Sequence, residues 1–257
     1  CATLLQVSSM LHLAAQGDDR HTHHPGISGE RPVRREAMSE QSATDQYIGV
    51  KNLLTPDNHA LVLIDHQYPQ LLSVTSHKHS TVSHNVTALA KAAKVFNVPT
   101  LLTTGVAEHQ PLLKELQAVF PEQKPIDRTG LCSWDDQRVV DWVKQTGRKK
   151  LVIAGLWTEI CLNLAVQGAL GDGYIVYIVP DASGGADAES HALAVQRMVQ
   201  AGAIPISTLA YPVELQRDWA RQETVPAVLK IFEEHGHGFS RAIRWQQDML
   251  GLKEGTR

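Results

Sequence analysis

Six short apolar runs alternate with helix-periodic segments between residues 59 and 209, and this alternation constrains the fold most. His59-Ala-Leu-Val-Leu-Ile64 is the first run and stops at Asp65. Thr81 to Phe96 then repeats apolar residues at helical spacing: Val82, Val86, Leu89, Ala93 and Phe96. Strand-like runs follow at Pro99–Thr103, Lys124–Arg128, Leu151–Gly155, Tyr174–Val179 and Ala203–Leu209. The segments between them, near 112–120, 136–146, after Cys161 and 188–201, read as helices. The helix after Cys161 stops at Gly171/Gly173 and the next at Gly202, usual C-terminal signals. Strands joined through helices predict a parallel sheet covered on both faces. The expected architecture is a Rossmann-like three-layer α/β/α fold with a six-stranded sheet in the order 3-2-1-4-5-6.

Composition narrows the class. With 257 residues, 43% hydrophobic, the chain can bury one good-sized core, and a net charge of −3 leaves no basic footprint for nucleic acid. No apolar run approaches the ~18–20 residues that span a bilayer, so no membrane partner is expected. Three scattered cysteines, Cys1, Cys132 and Cys161, make no disulfide framework and fit a reducing, cytoplasmic setting. Residues 1–45 are polar and aperiodic, which predicts a disordered extension, and Met38 reads as a candidate start. The expected organisation is a domain over 46–223 and a helical extension over 224–257 suited to subunit contacts.

In open parallel sheets ligands bind beyond the carboxyl ends of the strands, where the strand order reverses. In the expected order that reversal lies between strands one and four. Asp65 ends the first and Cys161 follows the fourth, so residues 96 positions apart are brought together. Cys161 stands where a strand hands over to a helix, and the first N–H groups of a helix favour thiolate over thiol. Asp65 could accept the thiol proton and return it to a leaving amine, with Arg128 as the cation that tolerates both charges. Taken singly, each residue has a plainer reading: a small buried hydrophobe, a turn cap and a surface ion-pair partner. Their convergence favours chemistry.

Thirteen histidines invite a metal reading, but there is no HExxH or CxxC, and His21, His23 and His24 fall in the polar tail. No metal or cofactor is expected. Asp181-Ala-Ser-Gly-Gly185 lacks the lysine and spacing of a phosphate loop and reads as turn chemistry.

Six ordered segments carry a family resemblance: Leu63-Ile-Asp65-His-Gln67; Leu102-Thr-Thr104; Ile126-Asp-Arg128 with Ser133-Trp134-Asp135; Ala154-Gly-Leu-Trp-Thr-Glu-Ile-Cys161; Asp181-Ala-Ser-Gly184; and Glu214-Leu-Gln-Arg-Asp-Trp219. Through them the chain resembles the isochorismatase-like cysteine hydrolases, most closely the YcaC-like branch. The resemblance implies an Asp–Lys–Cys triad acting through a thioester-like acyl enzyme. Carried over, Asp65 is the acid/base and Cys161 the nucleophile; the lysine position falls on Arg128, with Lys124 as the alternative. It also implies a cis peptide at Trp157–Thr158, an oxyanion hole from the N–H groups of Thr158 and Cys161, and pocket walls from Gln67, Trp134 and Trp157. The expected function is hydrolysis of a C–N bond in a small amide-like substrate by a homo-oligomer, an octamer in the branch it resembles. Vinyl-ether hydrolysis and a non-catalytic oligomeric binding protein are the alternatives.

Overall fold

The computed structural model describes residues 53–249; the segment 1–45 read as an extension lies outside them. Six parallel strands form one sheet in the order β3-β2-β1-β4-β5-β6. They are β1 (His59–Ile64), β2 (Thr100–Gly105), β3 (Ile126–Arg128), β4 (Lys150–Gly155), β5 (Ile175–Ile178) and β6 (Ile204–Pro205). The helices are α1 (Tyr68–Leu72), α2 (His79–Val95), α3 (Lys114–Val119), α4 (Gln137–Thr146), α5 (Asn163–Gly171), α6 (Ala188–Gln200), α7 (Ala210–Gln216), α8 (Val225–His235) and α9 (Gly238–Met249).

Every residue of β1 and β4 is buried, which is why both read as near-continuous apolar runs. Alternate β1 residues Ala60, Val62 and Ile64 enter a core with Val139 and Val143 of α4, Val166 and Ala169 of α5 and Met198 of α6. Strand β1 pairs with β2 on one side and β4 on the other, in registers Ile64↔Thr103 and Ile64↔Gly155. A Cβ at Gly155 would lie 2.8 Å from Cβ of Ile64, so the two strand ends approach closely only because residue 155 has no side chain. This is the point where the strand order reverses.

Strand β6 holds two residues rather than the seven expected. Ile206 N–H still reaches the Ile178 carbonyl (2.9 Å), but Thr208 N–H and Oγ1 then bind the Asp181 carboxylate, each at 2.9 Å. That capture turns the chain into α7 instead of continuing the ladder. Beyond it, α8 buries Val225, Val228, Leu229, Ile231 and Phe232, and is tied to α2 by the Lys91–Glu234 ion pair (2.6 Å). No helix among the described residues is long and apolar enough to cross a membrane.

Candidate active site

Asp65 leaves β1 in the left-handed region, φ 55°, a conformation Asp tolerates better than most residues. Its N–H stays in the sheet, on Thr103 O at 3.1 Å, while Gln67 N–H folds back onto Asp65 O at 2.7 Å. The turn sends the carboxylate across the strand ends. There Oδ1 accepts from Thr103 Oγ1 at 3.1 Å and Oδ2 accepts from Arg128 Nη2 at 2.6 Å. Both side chains are nearly sealed from water, at 4% and 3% exposure, so this ion pair is not a surface one. The Gly105↔Arg128 register of β2 with β3 carries the arginine to this edge. Its Nη1 donates to the Gly130 carbonyl. Lys124 is exposed, and Arg128 is the basic residue in contact with Asp65.

Cys161 sits in a single π-helical turn, Thr158–Leu162, that joins β4 to α5. Its buried thiol lies beside the Asp65 carboxylate and Arg128. Burial, then the charge of Asp65, pushes the thiol pKa up to about 11 against the opposing pull of Arg128. The resting group is therefore a thiol. The thiolate expected from the helix start is not favoured, because desolvation and a carboxylate outweigh the unpaired N–H groups of one turn. Burial also raises the Asp65 pKa, while Arg128, Cys161 and Thr103 pull it down. A carboxylate and a thiol able to exchange one proton lie against a fixed cation.

The neighbouring residues depart from the expectations. Thr158 N–H donates to Gly184 O at 2.9 Å, so it is not available to an oxyanion. Among the described residues, the N–H of Trp157 has no hydrogen-bond partner, and it replaces Thr158 as the candidate donor beside Cys161. The cis peptide lies one bond earlier than expected, at Leu156–Trp157. Trp134 is not a pocket wall: its ring packs on Gly168 of α5 and edge-on to Tyr174, and its Nε1 donates to Asp172 Oδ2 at 3.0 Å. An apolar ring beside a helix glycine is core packing. Gln67 is fully buried, its Oε1 accepting from Gly105 N–H at 2.8 Å and its Nε2 donating to the carbonyls of Gly105 and Gln110. With its amide so occupied it braces the end of β2 beside Asp65. Trp157 is half-buried and donates from Nε1 to Ser73 Oγ at 2.8 Å.

Sequence reasoning assigned no role to Thr103 or His191. Thr103 could have been found from the expected order alone, as the residue beside Ile64 on the adjoining strand. Nothing in the sequence pairs His191 with Thr158. A cleft of about 480 Å³, lined in part by Asp127, Thr129, Cys132, Gln137 and Arg138, meets the trio at Arg128. Among the described residues no group of three or more His, Cys, Asp or Glu is arranged to hold a metal ion.

The parallel sheet thus reverses its order beside a buried carboxylate, guanidinium and thiol, the place where α/β proteins of this kind bind small molecules. The isochorismatase domain model matches residues 59–210, and the chain belongs to the isochorismatase family of hydrolases. Within that family it is similar to the probable hydrolase YcaC of Escherichia coli, 36% identical over 185 residues, covering 71% of this chain and 88% of that protein. The structure of YcaC from Pseudomonas aeruginosa with hexane-2,5-diol and covalent acrylamide matches with a TM-score of 0.71 and 34% identity, over 75% of this chain and 96% of that one. The Escherichia coli YcaC structure, described as an octameric hydrolase of unknown specificity, matches with a TM-score of 0.72 and 35% identity, over 77% and 97%.

Proposed function

We propose that this chain hydrolyses a C–N bond of a small amide through a thioester on Cys161. The observation that carries this reading is the buried Asp65 carboxylate, held at 2.6 Å by Arg128 and lying beside the Cys161 thiol. As Sγ bonds to the amide carbon, its proton passes to Asp65, and the carbonyl oxygen takes the negative charge. The N–H groups of Trp157 and Cys161 stabilise that oxygen. Collapse breaks the C–N bond, and Asp65 protonates the leaving nitrogen. Water then adds to the thioester carbon, Asp65 accepts its proton, and the regenerated Sγ takes that proton back as the acid departs. Arg128 keeps its charge throughout and steadies Asp65 in the ionised form.

Acrylamide held covalently in a relative at 34% identity supports a nucleophile reactive towards a small amide-bearing molecule. The octameric relative supports a homo-oligomer. So do the exposed Leu72, Val106 and Leu131, which follow β1, β2 and β3 at the carboxyl edge of the sheet. The unpaired Cys132 and Cys161 support work in a reducing compartment such as the cytoplasm.

The test is a screen of small primary amides by ammonia release, with acid-quenched peptide mass spectrometry of Cys161. Turnover together with an acyl adduct on Cys161, both lost in Cys161→Ala, is the expected result. Turnover retained by Cys161→Ala would remove the nucleophile assignment.

A further inference from the structure

Thr158 is gripped at two points by the chain that follows β5. Its N–H donates to Gly184 O at 2.9 Å, and its Oγ1 is hydrogen-bonded to Nδ1 of His191 at 2.9 Å. His191 lies on α6, in the first turns of the helix. Its ring is braced edge-to-face by His77, with centroids 4.7 Å apart. His77 Nδ1 is hydrogen-bonded to Ser76 Oγ at 2.9 Å, and the same Oγ accepts from Gly185 N–H at 2.9 Å. The two grips on Thr158 are therefore joined through Ser76 into one closed clasp. Burial and the neighbouring His77 hold the His191 pKa down at about 4, so the ring is neutral at ordinary pH. Thr158 opens the π-helical turn that ends beyond Cys161 and directly follows Trp157. A rotation of Thr158 would re-aim the N–H groups on either side of it.

We infer that His191 is a positioning residue for the oxyanion hole, fixing Thr158 so that the N–H groups of Trp157 and Cys161 stay aimed at the substrate oxygen. This rests on the thioester reading above. The inference separates two kinds of attack by the same sulfur. Acylation builds negative charge on an oxygen and needs the hole; alkylation by iodoacetamide displaces iodide and builds none. Misaiming preorganised donors by a fraction of an ångström costs about 10- to 100-fold in acylation.

The probe for acylation is p-nitrophenyl acetate. Sγ bonds to the acetyl carbon, p-nitrophenolate leaves, and Asp65 takes the thiol proton. The pre-steady-state burst is compared with iodoacetamide alkylation of Cys161 in the full chain, for wild type, His191→Leu, His191→Asn and Thr158→Val. In His191→Leu and Thr158→Val the burst should slow at least tenfold while alkylation stays within about twofold. His191→Asn, whose amide can still meet Thr158 Oγ1, should recover most of the burst. Equal slowing of both reactions would mean the clasp merely supports the fold, and an unchanged burst would mean it supports nothing at the site. Either result overturns the inference. If His191→Leu does not fold, Thr158→Val decides by the same two rates. A wild type that alkylates but shows no burst would refute the thioester reading itself, and the inference with it.

Discussion

Replacing Asp65 with Asn should make Cys161 more reactive towards a simple alkylating agent while abolishing hydrolysis. In the wild type, burial and the Asp65 charge hold the thiol at a pKa of about 11, against roughly 8.5 for a free cysteine. At pH 7.5 that difference lowers the thiolate fraction about 300-fold. The more basic thiolate is intrinsically the better nucleophile, by about tenfold for a Brønsted slope near 0.4. Alkylation of Cys161 should therefore run about 30-fold slower than that of free cysteine. Removing the carboxylate charge leaves Arg128 unopposed beside the sulfur, so the apparent pKa falls and alkylation at pH 7.5 accelerates. The assay is the iodoacetamide rate from pH 6 to 11, followed on the Cys161 peptide by mass spectrometry in a Cys132→Ser background. A wild-type inflection at or below that of free cysteine would refute the reasoning, because it would mean that a preformed thiolate coexists with the neighbouring carboxylate. So would an Asp65→Asn profile unmoved from wild type.

Arg128→Leu should cost about 3–5 kcal/mol in urea unfolding, since it strands a buried carboxylate, and should raise the Asp65 pKa further; a loss below 1 kcal/mol would mean that the pair is solvated. His59 and His66 are buried with pKa values of about 4, depressed chiefly by burial. As pH falls below 6.5 the unfolded chain takes up these protons first, so stability present at neutral pH is lost as pH drops towards 4. The loss is about 2 kcal/mol from each histidine by pH 5, partly offset by Asp65, whose raised pKa acts in the opposite direction. Urea midpoints at pH 7.5 and 5 check this, with His66→Gln flattening the dependence; a wild type equally stable at both would contradict it. Gly168→Ala should destabilise by about 1–3 kcal/mol, despite better helix propensity, because its Cβ would meet the Trp134 ring at 2.7 Å. Thermal melts would read that change, and an unchanged or higher Tm would show that the ring gives way.

The strand order and the meeting of Asp65 with Cys161 could be read from the chain because both depend on periodicity and topology. Apolar runs bounded by turn residues announce buried strands, and parallel connection leaves few orders to choose from. Trp134 went the other way. The family resemblance put Trp134 in the pocket wall, and only the packing of α5 shows that Gly168 makes room for its ring in the core. Nor does the expected extension over 224–257 separate α9 from α8, because, of the buried positions Ile243, Gln246 and Gln247 of α9, one alone is apolar.

By itself, the sequence determined the six-stranded parallel sheet and the residue types available at its reversal point, since these follow from local pattern and connection rules. Tertiary structure decided the protonation of the site: the thiol of Cys161 stays protonated because it is buried beside Asp65, and neither burial nor that distance is a property of any one segment. It also decided which backbone N–H groups remain for a substrate. Gly184, 26 residues beyond Thr158, takes the Thr158 N–H, and among the described residues nothing takes that of Trp157. Hydrogen bonds between distant segments are settled by packing, which no local pattern encodes.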